Sequence, residues 1–338
     1  MNLCLRACAA LTPLGSAAAT AAAVRAGVSR LASDPFLPTR PHDLEWEPWE
    51  EATSARVPAR PGLPSGGAAR LLALAHLASR DLTTLAGVRR AELPRCALLL
   101  GLPEVDPATA TWGLPAMAQA LAGRLAIDGL PVVESHPLGR TAAIELVDRA
   151  NQLLAAGQVD RVLLVVADSL VDPDRHEALD NAGRVRSSRS PAGMMPGEAG
   201  VGLVLTADGT GPRLLGTGHG RELQTIAGPA ISTGSGLQQA VGALLPDDQI
   251  WALPDLTGED YRAREWGLLL ARLSPRLCVG RLTHPASSIG DCGAAGAAVQ
   301  LAIAAAGLQR GWAGSAHALV TAAADDGRRS ALLLGKGT

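Results

Sequence analysis

The run RVLLVVA at residues 161–167 constrains the chain most, because an unbroken stretch of valine and leucine suits a central strand covered on both faces. It closes a unit that begins at Pro131. Residues 131–134 read as a short extended run, 136–139 (His-Pro-Leu-Gly) as a tight turn, and 141–156 as a helix with Ile144, Val147 and Leu154 on its apolar face. Gly157 ends that helix. In such a unit the residue just before the helix points outward beside backbone N–H groups, at the helix end that favours negative charge. A nucleophile suits that place, and here it is Arg140.

The rest of the chain repeats the alternation of strand and helix. Residues 3–11 read as a strand, 12–15 as a turn, and 16–26 as an alanine-rich helix capped by Ser16 and stopped by Gly27. Residues 34–64, rich in Pro, Trp and acidic side chains without a period, read as an irregular surface excursion. Helices are expected at 67–86 and 109–125, strands at 96–101 and 201–206, and a polar loop with a short helix at 172–190. Beyond the break at 208–212, strands are expected from 213, at 249–253 and at 276–281, and helices at 234–244, 260–273 and 293–306. A closing hairpin is expected from 316–323 and 331–334. Two comparable halves, 1–208 and 209–338, in one compact unit imply an internal duplication and an α/β fold.

Composition narrows the function. A formal charge of −2 without a basic run argues against nucleic acid or an anionic membrane as partner, and no run of eighteen uncharged apolar residues suggests a transmembrane helix. The opening MNLCLRACAALTPLG reads as a first strand and turn rather than a signal. Five dispersed cysteines without a C-x-x-C pair suggest reduced thiols in a cytoplasmic protein. The seven histidines share no metal spacing, so no metal or cofactor is expected. With six Trp, one Tyr and one Phe, the core must be built from Ala, Leu and Val. Residues 232–236 (STGSG) resemble an anion-binding loop but lack its lysine, and are read as a linker.

Together TPLG (12–15), AGVS (26–29), AAGQVDRVLLVVAD (155–168), PGEAGVGLVLT (196–206) and SSIGDCGAAGAAVQLAIA (287–304) resemble the thiolase fold, specifically the β-ketoacyl synthases. The resemblance covers most of the chain. It implies a five-layered αβαβα core of two pseudo-equivalent halves, paired as a homodimer or heterodimer through the strand near Val132–Ser135. It also implies a thiolate at the helix N-terminus and two histidines that assist decarboxylation.

The matching positions carry other chemistry. The cysteine's position falls on Arg140, the first histidine's on Asp255 in PDLTGE (254–259), and the second histidine's on Asp291. Ala286 stands where a lysine is usual, and the closing loop that supplies oxyanion donors becomes AAADDG (322–327). Arginine cannot act as an acyl nucleophile, and aspartate cannot donate to an enolate unless its pKa rises by several units. Three readings of Arg140 stay open: an ion-paired plug with Asp255 or Asp291, a bidentate site for an acidic ligand, or a solvent-facing residue at a dimer surface. His136, Thr257, His284 and Cys292 complete the candidate pocket, although a carboxylate neighbour raises a thiol's pKa instead of activating it.

The resemblance then implies a pseudoenzyme that acts by binding a partner, with two settings. One is a chain-length-factor-type subunit beside an active ketosynthase, with an acyl carrier protein as a further partner. The other is a scaffold or chaperone beside type VI secretion effectors and adaptors. The competing class is an acyl-thioester enzyme, an acyltransferase or hydrolase using Cys292 or an activated water. Trp46 and Trp49 mark a candidate partner-binding arm.

Overall fold

A computed structural model describes residues 3–40, 49–274 and 276–337. The first half contains β1 (Leu3–Leu11), α1 (Ala17–Arg25), β2 (Ala32–Thr39), β3 (Glu50–Ser54), α2 (Gly67–Ser79), α3 (Leu82–Leu85) and β4 (Cys96–Gly101). It continues through α4 (Met117–Leu125), β5 (Val132–His136), α5 (Ala142–Ala155), β6 (Arg161–Ser169), α6 (Pro173–Asn181) and β7 (Glu198–Thr206). The second half contains β8 (Arg213–Arg221), α7 (Ser235–Gly242), β9 (Ile250–Leu253), α8 (Asp260–Leu273), β10 (Val279–Leu282), α9 (Ala286–Ile289), α10 (Gly296–Gln309), β11 (His317–Ala323) and β12 (Arg328–Gly335).

Among the described residues ten strands join in one mixed sheet, in the order β10-β9-β11-β12-β8-β1-β7-β6-β4-β5. Each half contributes five, and the order β5-β4-β6-β7-β1 recurs as β10-β9-β11-β12-β8. The directions recur too: β4 lies parallel to β5 and β6 as β9 does to β10 and β11, and the remaining pairs within each half are antiparallel. The halves meet where β1 and β8 pair through Leu3 with Leu214 and Cys4 with Arg213.

Apolar pattern decides the layers. α10 is apolar around its whole circumference, with Val299, Leu301, Ile303 and Leu308 all buried, so it must be enclosed. With α5 it fills the space between the inner faces of both half-sheets, where Leu164, Val201, Val320 and Leu332 join the same cluster. α2 and α4 cover the outer face of the first half and α7 and α8 that of the second. This is a five-layered αβαβα stack. Gly307 of α10 has no room for a Cβ, which would lie 2.4 Å from the ring of Trp251.

Local expectations fail in three places. The excursion expected at 34–64 is irregular only in part: 41–48 lie outside the described residues, 55–64 carry no helix or strand, and β2 and β3 pair as an antiparallel hairpin whose Leu37 and Ala52 pack on Val171 and Val185. Prolines 35 and 38 and a bulge between Asp34 and Pro38 hide the alternation. The helix expected at 67–86 breaks after Ser79, whose hydroxyl donates back to the Ala75 carbonyl at 2.6 Å, and resumes as α3. The helix expected at 109–125 starts only at Met117, since Gly113 takes a left-handed φ of 65° and Pro115 lies in the turn that follows. By contrast Ser16 caps α1 as expected, accepting from Ala19 N at 3.3 Å.

A buried ion pair fastens the segment after the hairpin to β7. Glu198 is fully buried and accepts from Arg70 Nε at 2.7 Å, Ser169 Oγ at 2.9 Å and Val57 N at 2.8 Å. Removing one partner leaves an uncompensated buried charge. Arg70→Met should lower stability by about 3 kcal/mol in urea denaturation, and adding Glu198→Met should recover at least half of that loss.

Candidate functional site

Four loops at one end of the sheet converge on Arg140. The turn after β5 enters a single 3₁₀ turn, Gly139–Thr141, before α5 begins. Gly139 takes a φ of 60°, and a Cβ there would lie 2.5 Å from the Glu104 carboxylate, so only glycine fits. Arg140 is 7% exposed and turns inward. Its two terminal nitrogens grip Asp291 as a fork, Nη1 donating to Oδ1 at 2.8 Å and Nη2 to Oδ2. Asp255 lies 3.6 Å and Asp325 3.9 Å from the same guanidinium.

Two further arginines complete the cluster. Arg262 contacts Asp255 at 3.2 Å, Glu259 at 3.0 Å and Asp325 at 2.7 Å. Arg184 contacts Glu259 at 2.7 Å and Asp325 at 2.6 Å. Three guanidiniums and four carboxylates thus share one largely desolvated volume. Burial pulls the Arg140 guanidinium downward, but Asp291, then Asp255 and Asp325, hold it well above its ordinary value. Burial pushes Asp291 up, and the Arg140 charge and hydrogen bonds more than reverse this. The carboxyls of Asp325 and Glu259 are also held low against burial, each first by Arg262.

Three backbone donors beside this cluster are occupied from within the chain. Gly293 N donates to Asp291 at 2.9 Å and Ala294 N to Asp168 at 2.8 Å, which takes up the N–H groups leading into α10. Ala323 N, at the start of the closing loop, donates to Asp255 at 3.1 Å. Those carboxylates hold N–H groups that could otherwise receive an anion.

The candidate residues divide. Arg140, Asp255 and Asp291 come together. Thr257 stands at the edge of the cluster, donating to Glu259 at 3.1 Å, and with Asp255, Asp291 and Cys292 it bounds a cavity of about 20 Å³, room for roughly one water. Cys292 is buried, and burial, then Asp291, pushes its thiol well above the ordinary range. His136 is turned away, its imidazole against Glu134 at 2.9 Å, and Arg149 donates to the same carboxylate at 2.7 Å. His284 is solvent-exposed outside the cluster. Trp46 lies outside the described residues; Trp49 is exposed, with the Arg40 guanidinium 5.9 Å from its ring centroid.

Sequence reasoning missed Arg184, Glu259, Arg262 and Asp325 as members. Glu259 and Arg262, three apart at the start of α8, carried a faint signal; Arg184 in the polar run 172–190 carried none. The linker at 232–236 binds a carboxylate of its own chain, Thr233 Oγ1 and Gly236 N donating to Glu222 at 3.0 and 3.2 Å.

No family model matches the chain, and no curated protein matches it in sequence. Solved structures do match. The ishigamide ketosynthase/chain length factor superposes with a TM-score of 0.78 at 16% identity, covering 100% of this chain and 99% of that one. The chain has the thiolase-like fold of the ketosynthases. A ketosynthase in complex with its chain length factor from Xenorhabdus doucetiae superposes with a TM-score of 0.78 at 15% identity, over 99% of this chain and 98% of that one. A β-ketoacyl synthase from Burkholderia phymatum gives 0.76 at 15% identity, with both chains fully covered. On this ketosynthase fold the described residues include no group of three or more His, Cys, Asp or Glu placed to hold a metal.

Beside the cluster a cleft of about 190 Å³ has Glu104 on its wall. Burial, then repulsion from Asp326 and Asp325, pushes this carboxyl up to about 7. A carboxyl raised in the folded state contributes stability that is present at acid pH and lost as pH climbs through about 7. Glu104→Gln should therefore be more stable than the native protein at pH 8, by about 1 kcal/mol after allowance for solvent screening, and the gap should close near pH 5 in urea melts.

Proposed function

We propose that the chain is a non-catalytic ketosynthase-like subunit that works by pairing with a protein partner, in the manner of a chain length factor. The observation that carries this reading is Arg140 itself: at the position suited to a nucleophile stands a buried guanidinium bound by Asp291, with three neighbouring N–H donors committed to Asp291, Asp168 and Asp255. A guanidinium supplies no acyl nucleophile, and those three N–H groups are not free to receive an oxyanion.

The surface for pairing is β5. Among the described residues it ends the sheet with only β4 as a neighbour, so its outer backbone edge is available to a strand of another chain. That geometry suits a second copy or an active ketosynthase equally, and the pairing in the Xenorhabdus complex supports the latter. A secretion-associated scaffold would use the same edge, and co-purification with either kind of partner separates the two settings. Acyl transfer or hydrolysis through Cys292 is disfavoured, because a buried thiol held well above its ordinary range supplies little thiolate.

Incubation with acyl-coenzyme A or acyl carrier protein thioesters should leave the intact mass unchanged and release no free thiol above background. One stoichiometric acyl adduct mapped to Cys292 would overturn the proposal.

A further inference from the structure

The opposite end of the central layer carries a second, differently charged surface. α10 starts beside the Arg140 cluster and runs 14 residues, which places its C-terminal end about 21 Å away. There it lies beside the end of α1. Between them opens a groove of about 480 Å³ lined by Ala21, Ala22, Arg25, Ala26, Arg310 and Trp312.

The groove is basic, and its arginines are placed without help from acids. The Arg25 guanidinium lies 5.3 Å from the Trp312 ring centroid, and Arg281 lies 5.3 Å from the same ring and 4.9 Å from Trp251. The two tryptophans meet edge-on at 5.2 Å, and Arg281 Nη1 donates to the Trp312 carbonyl at 2.9 Å. This stack fixes Arg25 through its ring face and leaves its donors open. Arg25 and Arg310 are exposed, and among the described residues neither they nor Arg281 has a carboxylate within 4.0 Å. Burial, then repulsion from Arg25, pulls Arg281 below the ordinary guanidinium value with no acid to offset it. The C-terminal ends of α1 and α10 supply about half a negative charge each, which leaves the three arginines in excess.

We propose that this groove binds the phosphate group of a soluble ligand through Arg25 and Arg310, with the alanine walls receiving the rest of the molecule. Two guanidinium forks beside one concavity match a dianion better than a single carboxylate, and the volume is that of a small-molecule site.

The test is titration calorimetry of the full chain with inorganic pyrophosphate at low salt. Saturable binding should appear, weaken as salt is raised, and fall by about tenfold or more in Arg25→Ala/Arg310→Ala, while Arg272→Ala, an exposed arginine on α8, binds as the native protein does. The two exposed substitutions should leave the melting temperature unchanged; if the pair unfolds, Arg310→Glu alone serves. Absence of saturable binding would overturn the proposal, as would an equal loss in Arg272→Ala. So would preferential capture of a glutamate-rich peptide, which would make the groove a protein-docking surface, or of phosphatidic acid vesicles, which would make it a lipid contact.

Discussion

A guanidinium removed from water has to be matched by carboxylates, and the interior end of this fold is arranged around that requirement. Arg140 sits at the entry to α5, where the helix field already disfavours a cation. Asp291 answers it with both oxygens, and Asp255 and Asp325 stand within 4 Å. Those acids in turn pair with Arg262 and Arg184, and the network ties the loops after β5, β9 and β11 and the segment after α6 to the segment before α10. Two of the carboxylates, Asp291 and Asp255, also take up a backbone N–H.

The framework that brings these groups together is indifferent to the chemistry they perform. Two half-sheets of the same strand order clasp two buried helices, and the starts of those helices lie side by side whatever residues occupy them. Core packing of Ala, Leu and Val keeps the backbone in place, which is how a chain with 15–16% identity to ketosynthases superposes on them over nearly its full length. Packing determines such a fold, and a few loop residues determine the chemistry grafted on it.

Much of this was legible in the amino-acid order. The run at 161–167, the apolar 293–306 and the glycines at 157 and 27 carry their own local physics, and the two halves announce themselves through the recurrence of strand and helix. The pairing of Arg140 with Asp291 spans 151 positions, and only the family resemblance brought those two residues into one question. Arg184 and Arg262 stayed hidden because polar side chains in a loop or on a helix face look alike until the fold decides which ones are enclosed. The hairpin β2–β3 stayed hidden for a different reason: its prolines and bulge break the alternation that identifies a strand. His136 shows the opposite error, since proximity in sequence to Arg140 did not bring its ring toward the cluster; alternation along β5 aims it at Glu134.

The central claim is that Arg140 and Asp291 act as one closed unit at the entry to α5. A double-mutant cycle built on Arg140→Met and Asp291→Leu, read by urea denaturation, measures that directly. Each single change should cost about 3 kcal/mol, and the double variant should cost far less than their sum, a coupling of about 2 kcal/mol or more. Additive effects within about 0.5 kcal/mol would contradict the account and leave Arg140 as an independent group in an open pocket.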